Sequence, residues 1–163
     1  MEHCDAVKIM WQNYLDSLPA EAPQPEIYIT WHFADSENSA NLLARQALAG
    51  TKTATTSLLW EYEADEEDLP QPGDLSIITD WEGQPVCIIE TTGIEVQPFG
   101  QVSPEHAARD MAGDPSLDHW REAHWQAFAR ACAALERPPQ NDMPVVCERF
   151  RLVYPRPAGG ADH

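Results

Sequence analysis

Residues 75–99, "LSIITDWEGQPVCIIETTGIEVQPF", restrict this chain more than any other segment. Two runs rich in isoleucine, valine and threonine flank "EGQP", a turn composition, and a second turn, "PQPGD", precedes them. Strands joined by so short a turn must pair antiparallel, because a parallel neighbour needs a crossover of a dozen residues or more. The centre of the molecule is therefore read as antiparallel sheet, with the second strand long enough to bend near Gly93.

Around that centre the periodicity changes. Val7, Met10, Trp11, Tyr14, Leu15 and Leu18 recur at helical spacing until Pro19 stops them, which predicts a first helix followed by the connector "EAPQPE". "IYITWHF" has strand composition. "DSENSANLLARQALAG" opens on the capping residues Asp35 and Ser36 and closes on Gly50, a left-handed stop, so it reads as a second helix. Ser103 before Pro104 starts a short helix. Ser116 caps a longer one, in which Leu117, Trp120, His124, Phe128, Ala131 and Leu135 share a face. "PVVCERFRLVY" returns as a last strand, and "PRPAGGADH" reads as a disordered tail. Strands that do not alternate regularly with helices give an α+β class, a small antiparallel β-barrel with flanking helices. The expected division is an N-terminal helix and connector over 1–26, one domain over 27–154 and the tail over 155–163.

Composition excludes several functions. The formal net charge of −17 over 163 residues opposes tight binding to duplex DNA, whose affinity comes mainly from neutralised phosphates. Six acids in "EYEADEED", residues 61–68, read as a solvated face or loop. No apolar run approaches the ~20 residues of a membrane helix, and "MEHCDAVKIM" lacks the pattern of a secretory signal, so a cytoplasmic protein without a membrane partner is expected. Cys4, Cys87, Cys132 and Cys147 form no CxxC pair and read as reduced, mostly buried thiols. His3, His32, His106 and His119 have no ligand spacing, so neither metal nor cofactor is expected.

One of only two lysines stands in "LAGTKTATTSLLW". Gly50 can take a positive φ, end the helix and let the backbone approach a ligand. Lys52 then supplies a movable charge, and Thr53 and Thr55 supply donors. In a flat strand Lys52 and Thr55 point to opposite faces, so they cooperate only across a bend. The same residues also read as a helix stop followed by a β-prone threonine run with a solvated lysine.

Carboxylates offer partners. Strand alternation sets Glu90 among Val86, Ile88 and Ile94, and Glu148 among Val146, Phe150 and Leu152, and a buried carboxylate needs a cation or donors. Lys52 is one candidate partner for Glu90, and a structural ion pair is the other reading, favoured for Glu148 by Arg149 and Arg151. His124, among Trp120, Trp125 and Phe128, reads first as a hydrogen-bonded core residue and second as a ligand contact, with Arg121 one turn away. Trp60 is among the tryptophans that could stack a base.

"WHFADSENSANLLARQALAGTKTATTSLLWEYE", together with "PGDLSIITDWEGQPVCIIETTGIEV", "SLDHWREAHW" and "DMPVVCERFRLVY", resembles the ASCH domain family in its longer bacterial form, from about Ile27 to Tyr154. Its GxKxxT signature stands here as Gly50, Lys52 and Thr55. The resemblance implies a PUA-like barrel with a cleft for a nucleoside or single-stranded RNA. It also implies activities similar to those of small family members that deacetylate N4-acetylcytidine or cleave single-stranded RNA. In the amidohydrolases the lysine and threonine work with an acid that follows an "HA" pair. Here His106 and Ala107 precede Asp110, where the family has glutamate, and Glu90 and Glu105 remain rivals.

Three functions follow. In a hydrolase acting on a modified cytidine nucleoside, Lys52 would be base or electrostatic stabiliser, Thr55 nucleophile and Asp110 orienting acid, with Gly50, Thr53, Trp60, Glu90, Arg121 and His124 contacting ligand. A non-catalytic RNA-binding module would use the same cleft. A ribonuclease would use Lys52 against charge developing on phosphate. The expected partner is a nucleoside or short single-stranded RNA, and a homodimer is compatible with the sequence.

Overall fold

The structure, a computed structural model, describes residues 2–111 and 116–155. The expected tail, apart from Pro155, lies outside the described residues. Among the described residues five α-helices and five strands follow one another as α1 (Glu2–Asp16), β1 (Ile29–Trp31), α2 (Glu37–Ala49), β2 (Ala54–Leu58), α3 (Leu59–Asp65), β3 (Leu75–Thr79), β4 (Pro85–Pro98), α4 (Pro104–Asp110), α5 (Leu117–Ala134) and β5 (Pro144–Tyr154). No helix among the described residues is long and apolar enough to cross a membrane.

The strands form one sheet in the order β1-β3-β4-β5-β2. The hairpin read from the sequence is there: β3 pairs antiparallel with β4, with Ile77 opposite Ile88 and an irregularity at Ile78 and Thr79. β2 pairs antiparallel with β5, setting Thr55 opposite Glu148 and Thr56 opposite Cys147. The sheet is nevertheless mixed, because β1 joins β3 in parallel. Residues 32–74 separate these two strands, ample for a crossover, whereas the short turn at 80–84 permits only antiparallel pairing.

By its contacts the chain divides into two compact units. One comprises residues 2–50, 73–90 and 151–155, the other 51–72, 91–111 and 116–150. In the first, Val7 and Tyr14 of α1 pack with Leu75, Ile77 and Ile88, and Trp11 lies against Tyr28 with ring centroids 4.5 Å apart. In the second, Leu58, Val145 and Cys147 of the sheet face Trp120, Phe128 and Cys132 of α5, with Phe99 stacked on Trp120. The face of α5 read from helical spacing is thus the buried one.

Local chemistry explains the element ends. The Ser36 hydroxyl accepts from the Ser39 amide, and the Ser103 and Ser116 hydroxyls accept from the His106 and His119 amides. Gly50 closes α2 at φ 84°, its amide bonded to Ala47 O. The acidic stretch is the solvated face and loop read from the sequence, its first part continuing helix α3 before the chain leaves it at Glu66. The β-prone threonine run is a strand, β2, because β5 offers it a partner along its whole length. One reading needs correction: the lysine before that strand, Lys52, is buried, not solvated. Cys87, Cys132 and Cys147 are buried free thiols, and burial pushes Cys87 up to about 12 and Cys147 up to about 11, out of the reactive range.

Gly50 supplies a direct test of the α2 stop. A Cβ there meets nothing within 4 Å, so only the backbone conformation resists substitution. Gly50→Ala is expected to lower stability by about 1 kcal/mol in denaturant unfolding, and an unchanged midpoint would contradict the left-handed stop.

Candidate functional site

Thr51 to Thr53 lead into β2, and α4 lies beside that strand, with the Thr53 amide donating to Arg109 O at 3.0 Å. This pins the end of α4 and brings Asp110 to Lys52. The pair is almost dry, its side chains 0% and 3% exposed. Lys52 Nζ donates to Asp110 Oδ1 at 2.6 Å, to Asp110 O at 2.8 Å and to Ala54 O at 2.6 Å. Three N–H groups are matched by three acceptors, the arrangement of an ammonium.

Asp110 uses its second oxygen as fully. Oδ2 accepts from Thr56 Oγ1 at 2.7 Å and from Trp120 Nε1 at 3.1 Å, and His124 Nε2 lies 3.2 Å away. Burial alone would raise the carboxyl's pKa. The Lys52 ammonium, with the His124 ring and the hydrogen bonds of both, outweighs burial and holds Asp110 well below the usual carboxylate range. Burial pulls Lys52 below the ordinary lysine value, opposed by Asp110 and, further off, by Glu148.

Thr56 extends the network outward. Its single hydroxyl proton goes to the Asp110 carboxylate, so the contact of 2.8 Å with His106 Nε2 is donated by the ring. His106 then keeps its lone pair on Nδ1. Burial lowers its pKa, only partly opposed by Asp110, which keeps the ring neutral at ordinary pH. His106 also forms part of the wall of a cleft of about 320 Å³, lined further by Glu95, Glu105, Arg109, Cys147 and Arg149. The chain of contacts thus runs from a buried cation to an open surface.

The other predicted residues separate into groups. Thr55 lies one residue from Thr56 and, by strand alternation, on the other face of β2, opposite Glu148, whose Oε2 accepts from Thr91 at 2.7 Å. The hydroxyl that reaches Asp110 is therefore that of Thr56. Glu90 is held by Arg151 at 2.6 and 3.0 Å, a surface ion pair rather than a partner of Lys52. Glu105 lines the cleft but makes no ion pair with Lys52. His124 stacks on Trp120 at 4.2 Å and bonds its carbonyl through Nδ1 at 3.0 Å, so it is a half-buried, hydrogen-bonded residue that also touches Asp110. Arg121 donates to Gly100 O at 3.2 Å, Arg137 covers the Trp60 ring at 3.6 Å, and Gly50 and Thr53 act through backbone amides. Among the described residues no group of three His, Cys, Asp or Glu side chains is placed to hold a metal.

Thr56, His106 and Trp120 were not legible as site residues. A signal existed for two of them. The "HA" pair places His106 one turn before Asp110, and a tryptophan whose indole N–H is buried needs an acceptor.

The ASCH domain model matches residues 29–154. An ASCH domain from Lactobacillus crispatus JV V101 is 36% identical, with a TM-score of 0.86 over 92% of this chain and 95% of that one. Protein EF3133 from Enterococcus faecalis V583 is 34% identical, with a TM-score of 0.80 over 98% of this chain and 97% of that one. No curated protein matches. The α+β class and the PUA-like family assignment expected from the sequence both hold.

The buried pair makes two linked predictions. Lys52→Met strands the Asp110 carboxylate and should cost about 3–5 kcal/mol, and the double change Lys52→Met with Asp110→Leu should recover most of it. In the unaltered protein the folded-state pKa of Asp110 is depressed, so its contribution is complete above ~pH 4 and drains as pH falls further. Denaturant midpoints for the three proteins between pH 3 and 8 check both, and a Lys52→Met cost below ~1 kcal/mol would show the pair to be solvated.

Proposed function

The chain belongs to the ASCH domain family, and on that premise we propose that it binds a nucleoside or short single-stranded RNA in the His106 cleft and acts there as a hydrolase on a modified cytidine nucleoside. The observation that carries this reading is the run of hydrogen bonds from buried Lys52 through Asp110 and Thr56 to His106 on the cleft wall. Hydrolysis of an amide needs a proton acceptor beside the attacking water, which gives up its proton to the base as it adds to the carbonyl carbon. A neutral imidazole whose Nε2 proton is committed to Thr56 has a free Nδ1 lone pair, as a general base requires. Asp110 and Thr56 set that tautomer, as a carboxylate orients a catalytic histidine. The thiol of Cys147, pushed up to about 11, takes no part as nucleophile.

This assigns Lys52 a positioning role rather than that of base: it holds Asp110 ionised, and Asp110 fixes Thr56 and the His106 tautomer. An ammonium donating to three acceptors has no lone pair to take a proton, and with no exposed surface it touches no substrate. The same saturation favours one competing reading, a binding module without turnover, in which the Lys52–Asp110 pair only shapes the cleft. The net charge of −17 supports ligands with little or no phosphate over duplex DNA.

Incubation with N4-acylated cytidines and short RNAs separates the readings. Release of the acyl group supports the hydrolase, strand cleavage the ribonuclease, and binding without product the module. If acyl release occurs, Thr56→Val should reduce it by about 10²-fold or more, since it frees the His106 tautomer, while Thr55→Val should retain most of it. The rate should be flat near neutrality and fall as acid protonates His106 at a pH below the ordinary histidine value of ~6.5. A rate insensitive to Thr56→Val would remove the relay from the mechanism.

A further inference from the structure

Cations are scarce here, with ten lysines and arginines against 27 acids, and the described ones mostly have partners. Lys52 is bound to Asp110, Arg151 to Glu90, Arg121 to Gly100 O, and Arg137 lies over Trp60. Among the described residues the side chains of Lys8, Arg45, Arg109 and Arg149 make no hydrogen bond or ion pair, and of these Arg109 and Arg149 line the cleft that His106 also lines. In so acidic a chain an exposed arginine has carboxylates in abundance, and Glu95 and Glu105 line that cleft without engaging either one.

Both arginines stand on fixed backbone. Arg109 is in the last turn of α4, and its carbonyl is tied to the Thr53 amide. Arg149 lies in β5 directly opposite Ala54 of β2. Two unpaired guanidinium groups carried by rigid elements and lining one space suit a phosphate, whose oxygens accept parallel N–H donors. The cleft, at about 320 Å³, is at the small end of ligand sites and suits one nucleotide rather than a helix of nucleic acid. Its carboxylates, with Gln97 and Ser103, supply acceptors and donors for hydroxyl and amino groups that a bare phosphate lacks.

We propose that this cleft is a nucleotide site in which Arg109 and Arg149 bind the phosphate while Glu95 and Glu105 accept from the hydroxyl or amino groups of the sugar and base. The proposal rests on the reading of the cleft as a nucleoside or RNA site and adds the phosphate to it. It also reconciles an acidic protein with a phosphate ligand. The surface as a whole repels a polyanion, while a single phosphate that reaches the cleft finds two uncommitted cations.

Isothermal titration of the whole chain with cytidine, cytidine 5′-monophosphate, cytidine 3′-monophosphate and inorganic phosphate tests it. At least one monophosphate should bind roughly ten-fold or more tighter than cytidine, and only that advantage should shrink as salt rises. The double variant Arg109→Gln, Arg149→Gln should bring nucleotide and nucleoside to within about three-fold of each other. Both side chains are exposed, so the variant should melt as the parent does, and a melting curve confirms that it is folded. Competition by inorganic phosphate against the nucleotide supports a true phosphate subsite. Equal affinity for cytidine and both monophosphates overturns the phosphate assignment and leaves the nucleoside reading standing. A nucleotide advantage that survives the double variant places the phosphate elsewhere and also overturns it. Absence of binding by all four probes overturns the cleft reading together with this one.

Discussion

The buried pair of Lys52 and Asp110 organises its surroundings because neither charge can be left alone. An ammonium in a nearly dry interior requires an anion and further acceptors, and a carboxylate there requires donors on every lone pair. Those demands bring Ala54 O, Thr56, Trp120 and His124 to one point and align α4 with β2 and α5. A pair of this kind is not a strong source of stability. Its value lies in specificity, since few other packings of these helices on this strand would satisfy so many polar atoms.

The same network explains how an interior charge can matter at a surface. Asp110 stays ionised because of Lys52, which commits the Thr56 proton inward and leaves the His106 ring to donate to Thr56. Each step follows from the single proton of a hydroxyl and the two nitrogens of an imidazole. Asp110 meets Lys52 where the Thr53 amide holds the end of α4 through Arg109 O.

Charge distribution separates global from local behaviour. A chain at −17 repels long polyanions, yet the cleft holds two arginines that no carboxylate has taken. The net charge bears on encounter, and the cleft bears on recognition.

How much could be read beforehand differs by level. The hairpin of β3 and β4, the caps at Ser36, Ser103 and Ser116, the stop at Gly50 and the buried face of α5 were legible, because each depends on residues a few positions apart. Lys52 stood out too, as one of two lysines, placed just after a glycine stop. What local pattern could not supply was the partner. Glu90 and Asp110 were rivals until packing gave Arg151 to one and Lys52 to the other. Nor could it distinguish Thr56 from Thr55, since adjacent strand residues face opposite ways and only the pairing with β5 decides which side meets α4. The parallel seat of β1 and the convergence of Arg109 with Arg149 likewise depend on contacts between residues far apart in the chain. Sequence by itself therefore determined the elements and the charged residue the site is built on. Tertiary structure decided which carboxylate, which hydroxyl and which cations meet, because burial forces each polar group to find partners that only the folded chain brings near.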